Sequence, residues 1–380
     1  MPAVRAQRRF KLFYFLIYVS FTTHHFLNLY FKDIGLTGLQ IGTIKAASAV
    51  VMIFCQPIWG LLCDLFKMRK GLLSLLLFAA GITFYLVSLQ DTFTLLLITI
   101  IIYAFFKSPI VPVSDSIVML EVKGDARKYS QIRFWGGMAL TISVVLMGYY
   151  FKHSYINNLF WIYCLFTYLA LALSFFLPNK KACFSKRKLS LRDFIKLIKY
   201  PAFLNFLAAI LFLQTGAFMI DGFFSLFVNE RIGNQVTLGW ALTLAGLSEI
   251  SIYFYLGRLK KLFSARNLLI TSAFVSAFRW FMYSQSTLVI QILLLQLLHG
   301  ITFGFFYISA VTYVNKLLPQ EFATSGQTLF WAIAFGLSSV LGSILGGYLY
   351  DYYNFYTLFI VAACLAVMAG GIFFRYKGEN

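Results

Sequence analysis

From end to end the chain repeats one pattern, a run of about 20 predominantly apolar residues followed by a short polar break. Coiled at ~1.5 Å per residue, a run of that length reaches across ~30 Å of hydrocarbon. Inside a bilayer the backbone polar groups must be satisfied within the segment, and a helix does this. The 380 residues are 60% hydrophobic and only 12% charged, where a soluble domain is about 25% charged. Twelve spans are predicted, at roughly 10–31, 39–62, 71–90, 93–119, 130–151, 156–178, 202–228, 237–257, 267–284, 288–315, 322–350 and 355–374. The expected fold class is an all-α polytopic membrane protein with twelve transmembrane helices in two six-helix bundles.

A net charge of +19 raises the question of nucleic acid, and the placement of the charge answers it. With those spans, 25 of the Lys and Arg residues fall on the side of the termini and even loops. Three (Lys32, Lys152, Arg231) fall on the other side, and four (Lys45, Lys107, Arg133, Arg279) fall inside spans. The excess is a topology signal that puts both termini in the cytoplasm, so no nucleic-acid partner is expected. The first run follows Arg5, Arg8, Arg9 and Lys11 and has no small-residue cleavage site, so it reads as a retained helix of a bacterial inner-membrane protein. Cys55, Cys63, Cys164, Cys183 and Cys364 are scattered, with no Cys-x-x-Cys, and predict neither a metal site nor a disulfide framework; no cofactor is expected.

The longest hydrophilic stretch, Pro178 to Tyr200, carries eight basic residues and separates six spans from six. The expected domains are an N-terminal bundle (1–178), a basic cytoplasmic linker (179–200) and a C-terminal bundle (201–380). FKDIGLTGLQIG after span 1 is echoed by VNERIGNQVTLGW after span 7, which suggests a parallel repeat with a solute at midplane between the halves. Charges within spans are expensive and are therefore functional candidates. Asp115 lies about six residues before the loop 121–129 and Arg133 about four after it, which sets them at similar depth in neighbouring antiparallel helices. They read as a substrate-site pair or as a structural ion pair. The second half carries Asp221, Glu249, Arg279 and His299. His24 and His25 are adjacent and so face different ways; one of them is expected to line the cavity, and His25 is taken as the candidate. Ser338, Gly342 and Gly346, and likewise Ser339, Ser343 and Gly347, form two small-residue stripes for close helix packing.

Several of these segments resemble known transporters. Gly60-x3-Asp64-x4-Arg69-Lys70 looks like the signature loop between helices 2 and 3 of the major facilitator superfamily, without the usual glycine inside it. The resemblance implies gating by Gly60, Asp64, Arg69 and Lys70. The segment Tyr129 to Gly137 resembles the phenylpropionate-permease-like group and, more distantly, the helix 5 entry of the lactose-type oligosaccharide/proton symporters. There an acid eighteen positions before the arginine contributes to substrate binding, and Asp115 precedes Arg133 by the same interval. SAFRW around Arg279 and QLLHGITFG around His299 look like the same group. The lactose-type proton-carrying glutamate is Thr302 here, which leaves the carboxylates Glu249, Asp221 and Asp115 as candidates.

The charges within spans, read together with the resemblance, give an expected substrate site of Asp115, Arg133, Arg279, Gln327 and His25, and expected proton coupling through Glu249, His299 and Asp221. The expected function is symport of a small organic solute, an aromatic carboxylate or a sugar-like molecule, with protons. The rivals are a proton-coupled exporter of amphipathic compounds and a receptor with a transporter fold. No nucleotide-binding loop or metal-ligand cluster points to an enzyme. The partners are the solute, protons and the lipid bilayer, and the expected state is a monomer.

Overall fold

The computed structural model describes residues 2–66, 69–178, 197, 199–319 and 322–375, and no strand occurs among them. Their helices are α1 (Pro2–Thr22), α2 (Leu27–Asp33), α3 (Gly38–Phe66), α4 (Arg69–Val87), α5 (Phe93–Lys107), α6 (Ile110–Glu121), α7 (Ala126–His153) and α8 (Asn158–Ser174). After the linker come α9 (Pro201–Phe227), α10 (Gln235–Leu262), α11 (Ala265–Gln285), α12 (Val289–Gln296), α13 (Phe305–Leu317), α14 (Ala323–Trp331), α15 (Ser338–Tyr352) and α16 (Phe355–Arg375). Four spans are made of two helices each: α1 with α2, α5 with α6, α12 with α13, and α14 with α15. The result is an all-α fold of twelve spans. All but residues 197, 199 and 200 of the predicted linker lie outside the described residues.

Span 1 begins at Pro2 rather than near residue 10. Where its helix runs on past the apolar stretch, Arg9 Nη1 donates to the Phe176 carbonyl at 2.8 Å.

The interrupted spans have local causes. In span 1 the hydroxyls of Ser20, Thr22 and Thr23 donate back to the carbonyls of Ile17, Tyr18 and Ser20, at 2.7, 2.9 and 2.8 Å. Such bonds compete with the helical ladder, and the chain tightens into a 3₁₀ turn at Thr23–His25. In span 4 Pro109 has no N–H to continue the ladder, so α5 stops at Lys107 and α6 starts at Ile110. Span 10 loosens into a π turn over Gly300–Gly304 and span 11 over Ala332–Leu337.

The helices cluster into two compact units. One comprises Met1–Leu36 and Val50–Lys186, the other Thr37–Ala49 and Arg187–Asn380. In the first, α1 packs on α7 and α8, and α4 packs on α8. In the second, α9 packs on α15 and α16, and α11 packs on α16, which are the same three pairs six spans later. The repeat extends to single side chains. Lys70, second residue of α4, donates to the Phe175 carbonyl at the end of α8 at 2.5 Å. Arg266, second residue of α11, donates to the carbonyls of Phe373 (3.0 Å) and Phe374 at the end of α16. Each cation satisfies carbonyls that a helix C-terminus leaves open.

Residues 37–49 fall with the second unit, although the sequence pattern groups them with the first six spans. Close backbone approach is the reason. A Cβ on Gly42 would overlap the Ser343 carbonyl, and one on Gly347 would overlap the Gly38 carbonyl. The Asp351 carboxylate accepts from the backbone N–H of Gly38 (2.5 Å) and of Leu39 (2.7 Å), and so caps the first turn of α3. The two small-residue stripes of span 11 divide their work. Gly342 and Gly346 face α9 at Thr215, Met219 and Phe223, while Ser343 and Gly347 face α3.

Candidate functional site

Each unit carries a polar cluster at its helix irregularities. In the first unit the centre is Asp115 on α6, whose Oδ1 accepts from Arg133 Nη1 at 2.7 Å and from the Tyr14 hydroxyl. Tyr14 and Tyr18, four residues apart on α1, place their rings 5.7 and 5.5 Å from the Arg133 guanidinium carbon. Tyr18 lies flat on α7 because Gly136 has no Cβ, and a Cβ there would come 2.8 Å from the ring. The Asp115 and Arg133 side chains keep 26% and 35% exposure, so the pair borders open space rather than being sealed in the core.

Two turns further along the same face of α1 sits a second aromatic group. His24 Nδ1 faces the Phe21 carbonyl at 2.9 Å, so this nitrogen carries the hydrogen. Its Nε2 therefore accepts from the Tyr103 hydroxyl at 2.6 Å. Phe84 and Tyr163 close around the His24 ring at 5.4 and 5.7 Å between centres. Phe21 meets the ammonium of Lys107, 5.1 Å from the ring centre. A cation–π contact contributes ~0.5–2 kcal/mol, whereas a desolvated ion loses several. His25 lies half-buried in the same 3₁₀ turn, while the described hydrogen bonds to the aromatic cluster belong to His24.

In the second unit Arg279, only 6% exposed, is held by neutral acceptors. Its Nη1 donates to His299 Nδ1 (3.0 Å) and to Thr302 Oγ1 (3.1 Å), and its Nη2 donates to Gln296 Oε1. The Tyr283 ring lies 5.3 Å from the guanidinium carbon. An arginine can only donate, so His299 Nδ1 carries no hydrogen and its Nε2 carries the one of a neutral ring. That Nε2 lies 4.0 Å from Glu249 Oε2. Arg279, His299 and Glu249 thus form a line from a buried cation through a neutral imidazole to a carboxylate. The π turn after His299 helps to place it. Gly300 packs so tightly on α10 that its N–H donates to Ser248 Oγ at 2.9 Å, and a Cβ would overlap the Ser248 carbonyl.

Other predicted positions are placed differently. Gln327 donates its amide nitrogen to the Val311 carbonyl (2.8 Å) and Asn315 Oδ1 (3.2 Å), which ties α14 to α13, while its Oε1 is buried without a partner among the described residues. Asp221 is exposed on α9, and its carboxylate acts electrostatically on Lys45, whose side chain passes beside Gly222. Gly60, Asp64 and Arg69 lie in α3 and α4, but their side chains are outside the described residues; Lys70 caps α8 as above. Sequence reasoning missed Tyr14, Tyr18, Tyr283 and Gln296. The available signal was helical spacing: Tyr14–Tyr18 and Arg279–Tyr283 are four apart, and Gln296, His299 and Thr302 are three apart. No group of three or more potential metal ligands occurs among the described residues.

Twelve spans in two units that repeat one packing scheme, with polar clusters at broken helices, define a membrane transporter of the major facilitator fold. The family model described as "MFS_1 like family" matches residues 7–361, and the chain belongs to that family. It is 26% identical over 364 residues to the maltose permease of Geobacillus stearothermophilus, covering 94% of this chain and 92% of that one. It is 24% identical over 381 residues to the probable 3-phenylpropionic acid transporter of Escherichia coli (strain K12), covering 98% of both. The crystal structure of the nucleoside transporter NupG (D323A mutant) superposes with a TM-score of 0.89 at 16% identity, over 97% of this chain and 99% of that one. The chain is an integral membrane transporter and not an enzyme.

Proposed function

We propose that the chain is a proton-coupled symporter that moves a small organic solute, an aromatic carboxylate or a sugar-like molecule, by alternating access. The observation that carries the reading is the line Arg279–His299–Glu249, in which a neutral imidazole joins a buried guanidinium to the carboxylate. A proton arriving at Glu249 removes the negative charge facing His299 Nε2–H. The Arg279 cation then keeps only neutral neighbours, and a solute acceptor becomes a better partner than before. Glu249 is the proton carrier in this scheme, His299 the relay and Arg279 the responding cation. Asp115 and Arg133 supply the corresponding pair in the first unit, where solute or water at the exposed edge competes for Arg133. Asp221, with Lys45, is a second carboxylate able to take a proton.

Motion of two six-span bundles joined by the basic linker 179–200 carries the cycle, with Gly60, Asp64, Arg69 and Lys70 in the gate between helices 2 and 3. The protein acts as a monomer in a bacterial cytoplasmic membrane, with both termini inside. The test is proton movement in proteoliposomes challenged with aromatic acids, oligosaccharides and nucleosides, for the wild type, Glu249→Gln and Arg133→Ala. Solute-dependent alkalinisation outside the vesicles, lost in both variants, supports the reading. Proton movement in the opposite sense makes the protein an exporter, and unchanged symport in both variants removes these residues from the mechanism.

A further inference from the structure

The four cations within spans differ in how their charge is met. Arg133 has the Asp115 carboxylate at 2.7 Å. Arg279 has three neutral acceptors with Glu249 behind His299. Lys45 has Asp221 acting on it. Lys107 faces only the ring of Phe21, and among the described residues it has no hydrogen-bond acceptor and no carboxylate within ion-pair distance. Its residue is half-buried at the kink between α5 and α6. The hydroxyl of Ser108, next in the chain, is buried and has no partner.

The surroundings describe what belongs beside that ammonium. Tyr14, Tyr18 and Phe21 run along one face of α1, with successive ring centres 6.3 and 5.9 Å apart. His24 continues the row 5.9 Å beyond Phe21. Arg133 sits on the first two rings, already neutralised, and Lys107 sits on the third. Tyr18 and Phe21 are only half-buried, so the row offers flat apolar surface ending at an unbalanced positive charge. A neutral sugar could stack its C–H face on the rings but would bring no negative charge to the ammonium. A carboxylate on a flat apolar body satisfies both features.

We propose that Lys107 binds the carboxylate of the transported solute and that Phe21 and Tyr18 take its flat apolar body. This deepens the transporter reading and rests on it, because a cation left without a partner in a spanning segment is costly unless a ligand uses it. Selectivity for acids over neutral solutes resides at Lys107, and Arg133, held by Asp115, contributes the neighbouring edge.

The test is equilibrium binding to the purified full chain in detergent, with 3-phenylpropionate, cinnamate and benzoate, their uncharged amides, uridine and maltose as probes. The wild type binds at least one acid about ten-fold or more tightly than its amide. Lys107→Gln binds that acid and amide alike, and Lys107→Arg keeps the preference; a melting point close to wild type shows that both variants are folded. Equal binding of acids and amides by the wild type overturns the proposal, as does a preference that survives in Lys107→Gln. Binding of uridine or maltose alone, or of no probe at all, also overturns it. Accumulation in proteoliposomes is measured separately. A chain that binds an acid through Lys107 yet accumulates nothing refutes the transport reading and keeps the site, while accumulation of a neutral solute alone refutes the site and keeps transport.

Discussion

Replacing Asp115 by Ala removes two things at once, and the structure lets them be separated. The Tyr14 hydroxyl loses its acceptor while its residue stays only 2% exposed, which costs about 1–3 kcal/mol for a stranded buried donor. Arg133 loses its counter-ion. Breaking a fully buried pair costs ~3–5 kcal/mol, and the 35% exposure of Arg133 discounts that to about 2 kcal/mol. Asp115→Ala is therefore expected to lose about 3–5 kcal/mol. Arg133→Gln leaves Asp115 still bonded to Tyr14 and should cost roughly 1–2 kcal/mol. The double variant strands only the tyrosine, so it should be about 2 kcal/mol more stable than Asp115→Ala alone, a positive coupling in the double-mutant cycle. Thermal melting of the four purified proteins in detergent reads the order, at about 2 °C per kcal/mol for a chain of this size. A double variant that melts at or below Asp115→Ala would refute the reasoning, because an unbalanced guanidinium would then not be what destabilises the single variant.

Three other outcomes follow from particular contacts. Asp351→Asn keeps an acceptor but removes the charge facing the first turn of α3, and Gly42→Val drives a side chain into the Ser343 carbonyl. Hydrogen exchange at the Gly38 and Leu39 amides should rise in both, more in the second; unchanged protection would show that neither contact holds residues 37–49 in place. At the start of α7, the backbone N–H of Lys128, its ammonium and the N–H of Arg127 hold the exposed Asp125 carboxyl below its ordinary range. A lowered folded pKa stabilises above the unfolded value of ~3.9 and is lost as pH falls through and below it. The melting difference between wild type and Asp125→Ala should accordingly be present at neutral pH and close in acid, and a pH-independent difference would sink this account. Uptake of a monovalent acid with one proton carries no net charge. An imposed potential of about 100 mV should then leave accumulation unchanged, where one uncompensated charge would change it about 50-fold.

The spans were legible because hydrocarbon thickness sets the length of each apolar run, and the bundle repeat because the loops after spans 1 and 7 share their glycines. Their interruptions were only partly so. Pro109, which has no N–H to give, is a visible cause of the kink beside Lys107, but the 3₁₀ turn at Thr23–His25 arises from three hydroxyls that each look innocuous in an apolar helix. The side to which residues 37–49 attach could not be read from order along the chain, because Gly42, Gly347 and Asp351 act across some 300 residues of sequence separation. Within the candidate site the charges were visible as exceptions to an apolar background. The neutral groups that decide their behaviour were not: Tyr14, Tyr18 and Gln296 resemble ordinary span residues until the fold turns them toward an arginine. Gln327 shows the converse, a polar residue that stood out and whose amide nitrogen is bonded to its neighbour α13.

The embedded charges also constrain how the proposed coupling can operate. In the second unit two cations, Lys45 and Arg279, stand against two carboxylates, Asp221 and Glu249, so the spans there are balanced. In the first unit Arg133 and Lys107 stand against Asp115, which leaves one positive charge over. In the proposed cycle a proton on Glu249 unbalances the second unit in its turn. Each addition makes an anion more welcome and a further cation less so, since charges in a spanning segment are costly until matched. If protonation of Glu249 raises the affinity for an anion, as the proposed cycle requires, linkage makes the anion raise the proton affinity by the same factor. A neutral solute would add nothing to this balance, and its coupling to protons would have to come from packing alone. In the proposed scheme the choice of solute at Lys107 and the protonation of Glu249 are thus tied: the acid supplies the negative charge that protonation removes.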